Sequence, residues 1–207
     1  MATSAPERSR RRPTQDRAQR SYERLLDITA GLMAEVGVEN ISTNMICARA
    51  NMTPPALYRY FKDKYALIEA LSERQMMRQF EVIQAWLNEN LPASPESFGA
   101  NIEDLLRQLS TATTNQEGSI WVQRAVRAVP RLAAVRQASR QRMTESLCET
   151  YKPLYPHLSE ERLRCRIRIG VEFCATMDEL IAESEPEVAE ILLKECAQVI
   201  GNVFTAR

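Results

Sequence analysis

From Tyr22 almost to the C-terminus, the apolar residues of this chain recur at spacings of three and four and nowhere alternate in twos. That period gathers apolar side chains on one stripe of a helix, whereas a strand needs period two. The pattern therefore predicts an all-α fold of about nine helices. Tyr22, Leu25, Leu26, Thr29, Leu32, Met33 and Val36 mark the first stripe, in a helix that starts at Asp16 or Arg17. Gly31 lies inside it at a cost of about 1 kcal/mol against Ala. Gly37 follows its last member, where a left-handed C-terminal cap is expected. Ser42 is the expected N-cap of a short helix through Met45, Ile46, Ala48 and Arg49, and Asn51 sits at a sharp turn of positive φ. Thr53 is the next N-cap. Pro54 and Pro55 fall in the first turn, where a missing N–H does least harm; Pro55 disfavours helical backbone at Pro54, which would delay this helix by one residue. Asp63 then caps a fourth helix, striped by Tyr65, Ile68, Met76, Phe80, Ile83 and Leu87 as far as about Asn90.

The remainder reads the same way. Ser94-Pro95-Glu96 opens a helix carrying Ile102, Leu105, Leu106 and Leu109, and the next spans about 117–128 with Ile120, Trp121, Val122, Ala125 and Val126. Pro130 opens another that reaches Tyr151. Ser159 caps a long helix to Ser184, and Ser184-Glu185-Pro186-Glu187 reads as the capping box of a last helix to about Thr205.

Charge divides the chain. Residues 1–64 hold 11 Lys and Arg against 7 Asp and Glu, and the rest holds 16 against 20, although the whole is neutral. A basic front and an acidic back suit an anionic partner at the front only. Residues 1–16, with arginines at 8, 10, 11 and 12, read as a disordered basic arm, either a solvated tail or an arm that reaches the minor groove. No apolar run approaches the ~20 residues of a membrane span, and no apolar segment follows the N-terminal arginines to make a secretory signal. The five cysteines are dispersed, odd in number and free of any C-x-x-C pair, and there is one histidine, His157. Neither a disulfide framework nor a metal site is expected, and no paired E-x-x-H or H-E-x-x-H motif supports an enzyme. The reading is a reduced, cytoplasmic protein without metal or cofactor.

The segment from Ser42 to Phe61, two short helices about a tight turn, has the form of a helix-turn-helix. In that motif the second helix enters the major groove with its N-terminal end towards the bases. Leu57 and Phe61, four apart, face the core with Ile46 and Ala50. Thr53, Pro54, Pro55, Tyr58 and Arg59 lie on the other side. Proline rings suit a thymine methyl, the hydroxyls of Thr53 and Tyr58 suit phosphate, and Arg59 suits phosphate or guanine. Tyr58 and Tyr60 also suit a core, and Lys64 a solvated surface.

The stretch LLDITAGLMAEVGVENISTNMICARANMTPPALYRYFKDKYALIEAL resembles the DNA-binding domain of TetR-type transcriptional regulators; the resemblance covers about residues 20–71. It implies an all-α homodimer with a three-helix N-terminal domain (17–64) and a variable C-terminal ligand-binding and dimerisation domain (65–207). Carried over by position, Ser42 and Asn44 would meet the DNA backbone. Thr53, Pro54, Pro55, Tyr58, Arg59 and Tyr60 would lie at the groove, and Lys64 would bind phosphate at the start of the fourth helix. Asn51 stands where the family often has Gly, and Pro54-Pro55 where it often has Lys-Gly, which removes a common phosphate-binding lysine. The function implied is a ligand-responsive regulator, a repressor, on a palindromic operator. A DNA-bound adaptor whose C-terminal domain binds another protein is the alternative.

Two further expectations come from the C-terminal stripes. A small, mostly apolar ligand is expected among Met76, Phe80, Leu105, Trp121, Ala125, Met143, Phe173 and Met177, although plain core is the competing reading for each. The stripes of the last two helices, represented by Val171, Cys174, Ile181, Leu192, Val199, Ile200 and Val203, are expected to form a four-helix dimer seam.

Overall fold

The computed structural model describes residues 16–90 and 94–205; the basic arm, apart from Asp16, lies outside them. The described chain forms α1 (Asp16–Asn40), α2 (Thr43–Ala50), α3 (Pro54–Tyr58), α4 (Lys64–Glu89), α5 (Pro95–Thr114), α6 (Ser119–Ala128), α7 (Ala133–Tyr151), α8 (Glu160–Ala182) and α9 (Pro186–Thr205). Short 3-10 turns at Pro130–Leu132 and Lys152–Leu154 flank α7. The described residues contain no strand, and no described helix is long and apolar enough to cross a membrane.

The helix starts follow side-chain chemistry. Ser42, Asp63 and Ser159 accept from the amides of Met45, Ala66 and Arg162 at 3.3, 2.9 and 3.2 Å, each relieving an N–H that the helix itself leaves unpaired. Ser94 accepts from the Ser97 amide at 3.2 Å while the Ser97 hydroxyl oxygen accepts from the Ser94 amide at 3.1 Å, a reciprocal cap. Asn51 takes φ 52, ψ 48 and closes α2.

Four local expectations need correction. Gly37 has φ 76 but ψ 165, so the break late in α1 is an extended, mirror-image conformation that only glycine adopts freely rather than a left-handed helical cap. The third helix begins at Pro54 without delay, so the steric restriction that Pro55 places on Pro54 does not move the helix start. The sixth helix starts at Ser119, two residues after Glu117, because Gly118 at φ 73 turns the chain first. Ser184 caps nothing in α9; its hydroxyl donates to the Leu180 carbonyl at 2.7 Å and finishes α8.

Two apolar cores result. One joins α1, α2, α3 and the first turns of α4 to Val122, Ala125 and Val126 of α6 and to Leu132. The other joins the second half of α4 to α5, α7, α8 and α9. Helix α4 therefore belongs to both cores, while α6 is seated in the first. Gly118 makes the contact of α6 with α1 possible: a Cβ there would stand 2.2 Å from the Ala30 carbonyl oxygen, so only glycine lets the turn before α6 lie on α1.

Candidate nucleic-acid interface and inner cavity

Helix α3 is five residues long, and its placement is set by what it buries. Leu57 and Phe61 are buried in the first core, and the Phe61 ring stacks on Tyr22 of α1 at 4.9 Å. The opposite side is left to solvent: Thr53, Pro54, Pro55, Tyr58 and Arg59 are all exposed, Tyr58 by 51%. Thr53 holds the N-cap position, but its hydroxyl makes no cap bond. The Tyr58 hydroxyl lies 3.2 Å from that of Thr43, tying α3 to the start of α2. Asn44 is exposed, Ser42 is occupied as a cap, and Tyr60 is half-buried with its ring 6.5 Å from that of Phe61. Together these make a short polar and aromatic face around the N-terminal end of α3.

Lys64 does not belong to that face. Its ammonium donates to the carbonyls of Val38, Glu39 and Ile41 at 3.0, 3.1 and 3.1 Å, which occupies all three of its donors. Its work is to fasten the start of α4 to the corner between α1 and α2. Sequence position could not reveal this, because those carbonyls belong to residues 23–26 places earlier.

The structure also adds residues that the sequence reading passed over. Arg17, Ser21 and Arg24, at spacings of four and three on α1, line an open cleft of about 520 Å³ together with Asn51, Arg59 and Tyr60. Three guanidinium groups around one cleft beside α3 suit a phosphate chain. The signal was legible as a basic stripe on the polar side of α1. Arg49, by contrast, is committed to Glu35 through two bonds of 2.7 Å, which hold the Glu35 carboxyl below its ordinary range.

The second core lines a cavity of about 70 Å³ between α4, α5, α7, α8 and α9. Of the residues expected around a ligand, Leu105 and Met143 line it. Met76 instead lines a smaller neighbouring cavity of about 30 Å³, while Phe80, Phe173 and Met177 pack in the core without reaching the wall. Trp121 and Ala125 are elsewhere. Trp121 is 39% exposed beneath the Arg124 guanidinium, 5.1 Å from its ring, and Ala125 is buried in the first core. The reason is the rotation of α6, which turns its apolar stripe towards α1 and α4. Conversely Val171, Cys174 and Ile200, expected at a dimer seam, line the cavity, so their stripes are filled within one subunit. Leu192, Val203 and Ile181 are half-buried and Val199 is exposed. The outer sides of α8 and α9 carry a different set of bare apolar groups: Ile169, Leu180, Val188 and Ile191, the last 61% exposed.

One end of the cavity is polar. Asp178 of α8 is 2% exposed; its Oδ2 accepts from the Thr113 hydroxyl at 3.1 Å and the Gln123 amide at 3.4 Å. Burial pushes its carboxyl up to about 6, against the pull of Gln123, Thr113 and Arg140. Burial lowers the Arg140 guanidinium from its usual range, with Glu172 opposing, and raises the Cys174 thiol to about 12, which makes it a poor nucleophile.

A short exposed helix set after a left-handed turn, opened by two prolines, bracketed by arginines and braced against two other helices, defines a helix-turn-helix DNA-binding protein. Residues 25–71 match the family of bacterial regulatory proteins described as the tetR family. The HTH-type transcriptional regulator BetI of Serratia proteamaculans (strain 568) is 25% identical over 149 residues, 70% of this chain and 73% of that one. Among solved structures, a TetR-family transcriptional regulator from Streptomyces coelicolor superposes with a TM-score of 0.66 at 21% identity, over 89% of this chain and 96% of that one. RolR, solved in complex with resorcinol, superposes with a TM-score of 0.55 at 16% identity, over 91% and 95%. The two structural likenesses speak for the fold. The matched segment makes residues 25–71 a DNA-binding domain of the tetR-family type, and over most of its length the chain is similar to TetR-family transcriptional regulators.

Proposed function

We propose that the protein is a ligand-responsive repressor that binds a palindromic operator as a homodimer, with residues 17–64 reading DNA and residues 65–207 binding a small, mostly apolar molecule and the second subunit. The observation that carries this reading is that α4 runs from the core under the helix-turn-helix into the core around an apolar cavity, while α6 is seated in the first core and joined through Gln123 to Asp178 at the second. Thr53, Pro54, Pro55, Tyr58 and Arg59 face the bases and nearby phosphates. Ser42, Asn44 and Tyr60, with Arg17 and Arg24, flank them along the backbone. The bare stripe of Ile169, Leu180, Val188, Ile191 and Val199 suits a four-helix seam with a second copy. Resorcinol bound to RolR supports a small molecule as the class of effector.

The coupling follows from how α6 is held. Its Val122, Ala125 and Val126 sit in the first core, while Gln123 reaches Asp178 beside the cavity. The Ser119 hydroxyl accepts from Gln75 of α4 at 2.7 Å, and Arg131, just beyond α6, pairs with the Asp63 cap of α4 at 2.6 Å. A molecule that repositions α6 against α8 thus tilts the DNA-binding helices of each subunit. Two recognition helices must lie ~34–36 Å apart, or a multiple of that, to enter successive major grooves, so a small tilt releases DNA. The effector must favour the released state, and a tenfold effect requires ~1.4 kcal/mol of difference. Selection of bound sequences from random DNA tests the reading. A palindromic consensus with half-sites about one helical turn apart is expected, and failure to retain any DNA at low salt overturns it.

A further inference from the structure

We propose that the cavity is built for a neutral, narrow, apolar molecule bearing a hydroxyl at one end, with that hydroxyl seated between Asp178, Gln123 and Arg140. The proposal rests on the ligand-responsive reading above and adds the chemistry of the headgroup.

Three observations converge. The first is shape. Along α8 the wall runs from Ile167 to Asp178, eleven residues at 1.5 Å each or about 16 Å, for a cavity of only about 70 Å³. An occupant of such a slot is long and slender. The second is polarity. The end near Phe98, Tyr151 and Phe204 is aromatic, whereas the other end meets Gln79, Arg140 and Asp178 and adjoins the smaller cavity that Gln123, Gln79 and Arg140 also line. The third is unmet hydrogen bonding. Asp178 Oδ1 and Gln123 Oε1 are buried and have no hydrogen-bond partner among the described residues. Both are acceptors, and a buried acceptor without a donor is costly, so the site calls for a donor. Arg140, whose Nη1 is engaged only at 3.3 Å by the Val171 carbonyl, supplies a donor on the same side.

Charge narrows the headgroup. A cation at Asp178 would face the Arg140 guanidinium across the cavity. An anion at Arg140 would face the Asp178 carboxylate, and Arg140 already has Glu172 at 4.0 Å. A hydroxyl meets both demands: its hydrogen goes to Asp178 or Gln123 and its lone pairs accept from Arg140. It also leaves a mark on the rest of the molecule, since Gln123 lies on the helix that is seated in the DNA-binding core.

The test uses four probes with one skeleton and different ends: phenylbutanol, butylbenzene, phenylbutyrate and phenylbutylamine. Each is titrated by calorimetry into the full-length protein, with operator release read in parallel. Phenylbutanol is expected to bind at least about tenfold tighter than the other three, because the hydrocarbon leaves the buried acceptors unpaired. In Asp178→Leu that preference should fall to within about twofold while butylbenzene still binds; Gln123→Leu, which keeps the carboxylate, should lose part of the preference and serves if the first variant fails to fold. Equal affinity for all four probes overturns the headgroup inference and leaves the ligand-responsive reading standing. Preference for the anion or the cation overturns the headgroup inference in the same way. Binding of none, with no change in melting temperature, overturns both.

Discussion

Asp178→Asn should make this protein more stable at pH 8 and should stop doing so in acid. In the folded chain the Asp178 carboxyl lies 2% exposed and titrates near 6 against an ordinary 3.8. The charged groups acting on it are Arg140 of α7, which pulls its pKa down, and Glu179, its neighbour on α8, which raises it. The groups reaching it from α5 and α6, Thr113 and Gln123, are neutral. Above pH 6 folding must therefore bury an anion that the unfolded chain keeps in water. A rise of about two pK units, at 1.36 kcal/mol each, makes that cost about 3 kcal/mol. The cost is fully present above pH 6, shrinks as pH falls through 6, and is gone below about 4, where both states are protonated. Asparagine removes the charge, keeps an acceptor for Thr113 and Gln123, and brings an amide to the unpaired Gln123 oxygen. The variant should gain about 1–3 kcal/mol at pH 8, a rise of several degrees in Tm for a chain of this size. Thermal melts followed by far-UV circular dichroism at pH 8 and pH 4.5, at one protein concentration, measure it. A variant less stable than wild type at pH 8, or a gain of equal size at both pH values, would refute the account of Asp178 as a buried, poorly compensated carboxylate.

Three other outcomes are expected. Arg59→Ala should weaken operator binding by on the order of 1–3 kcal/mol and Arg24→Ala should lower the salt slope, both with unchanged helix content; wild-type affinity and slope in gel shifts at several salt concentrations would remove the arginine cleft from the interface. Lys64→Met should cost roughly 1–3 kcal/mol of stability, since three carbonyls lose their shared donor, and an unchanged urea midpoint would count against the brace. Val199→Asp should yield folded monomers in sizing, whereas Ile200→Asp should fail to fold because Ile200 is buried in its own subunit; a folded monomer from Ile200→Asp would return that residue to the seam.

Much of this protein is decided by chemistry that acts over four residues or fewer. Periodicity of three and four, the Ser42, Asp63 and Ser159 caps, the left-handed Asn51 and the two prolines opening α3 all express local rules, and with them the helix-turn-helix and its exposed face were legible in the sequence. An apolar stripe, however, records only that a face is buried, not what buries it. For that reason Trp121 and Ala125 looked like pocket wall and Ile200 and Val171 like dimer seam, until packing turned α6 towards α1 and closed α8 and α9 over the cavity. The same limit applies to polar groups. Lys64 reads as a phosphate ligand until three carbonyls at and just past the end of α1 fill its donors, and nothing beside Asp178 in the chain announces the Thr113 and Gln123 that close on it from α5 and α6. Local propensity is a property of neighbours in the chain; partners brought from 20 to 70 residues away exist only once the tertiary fold has formed.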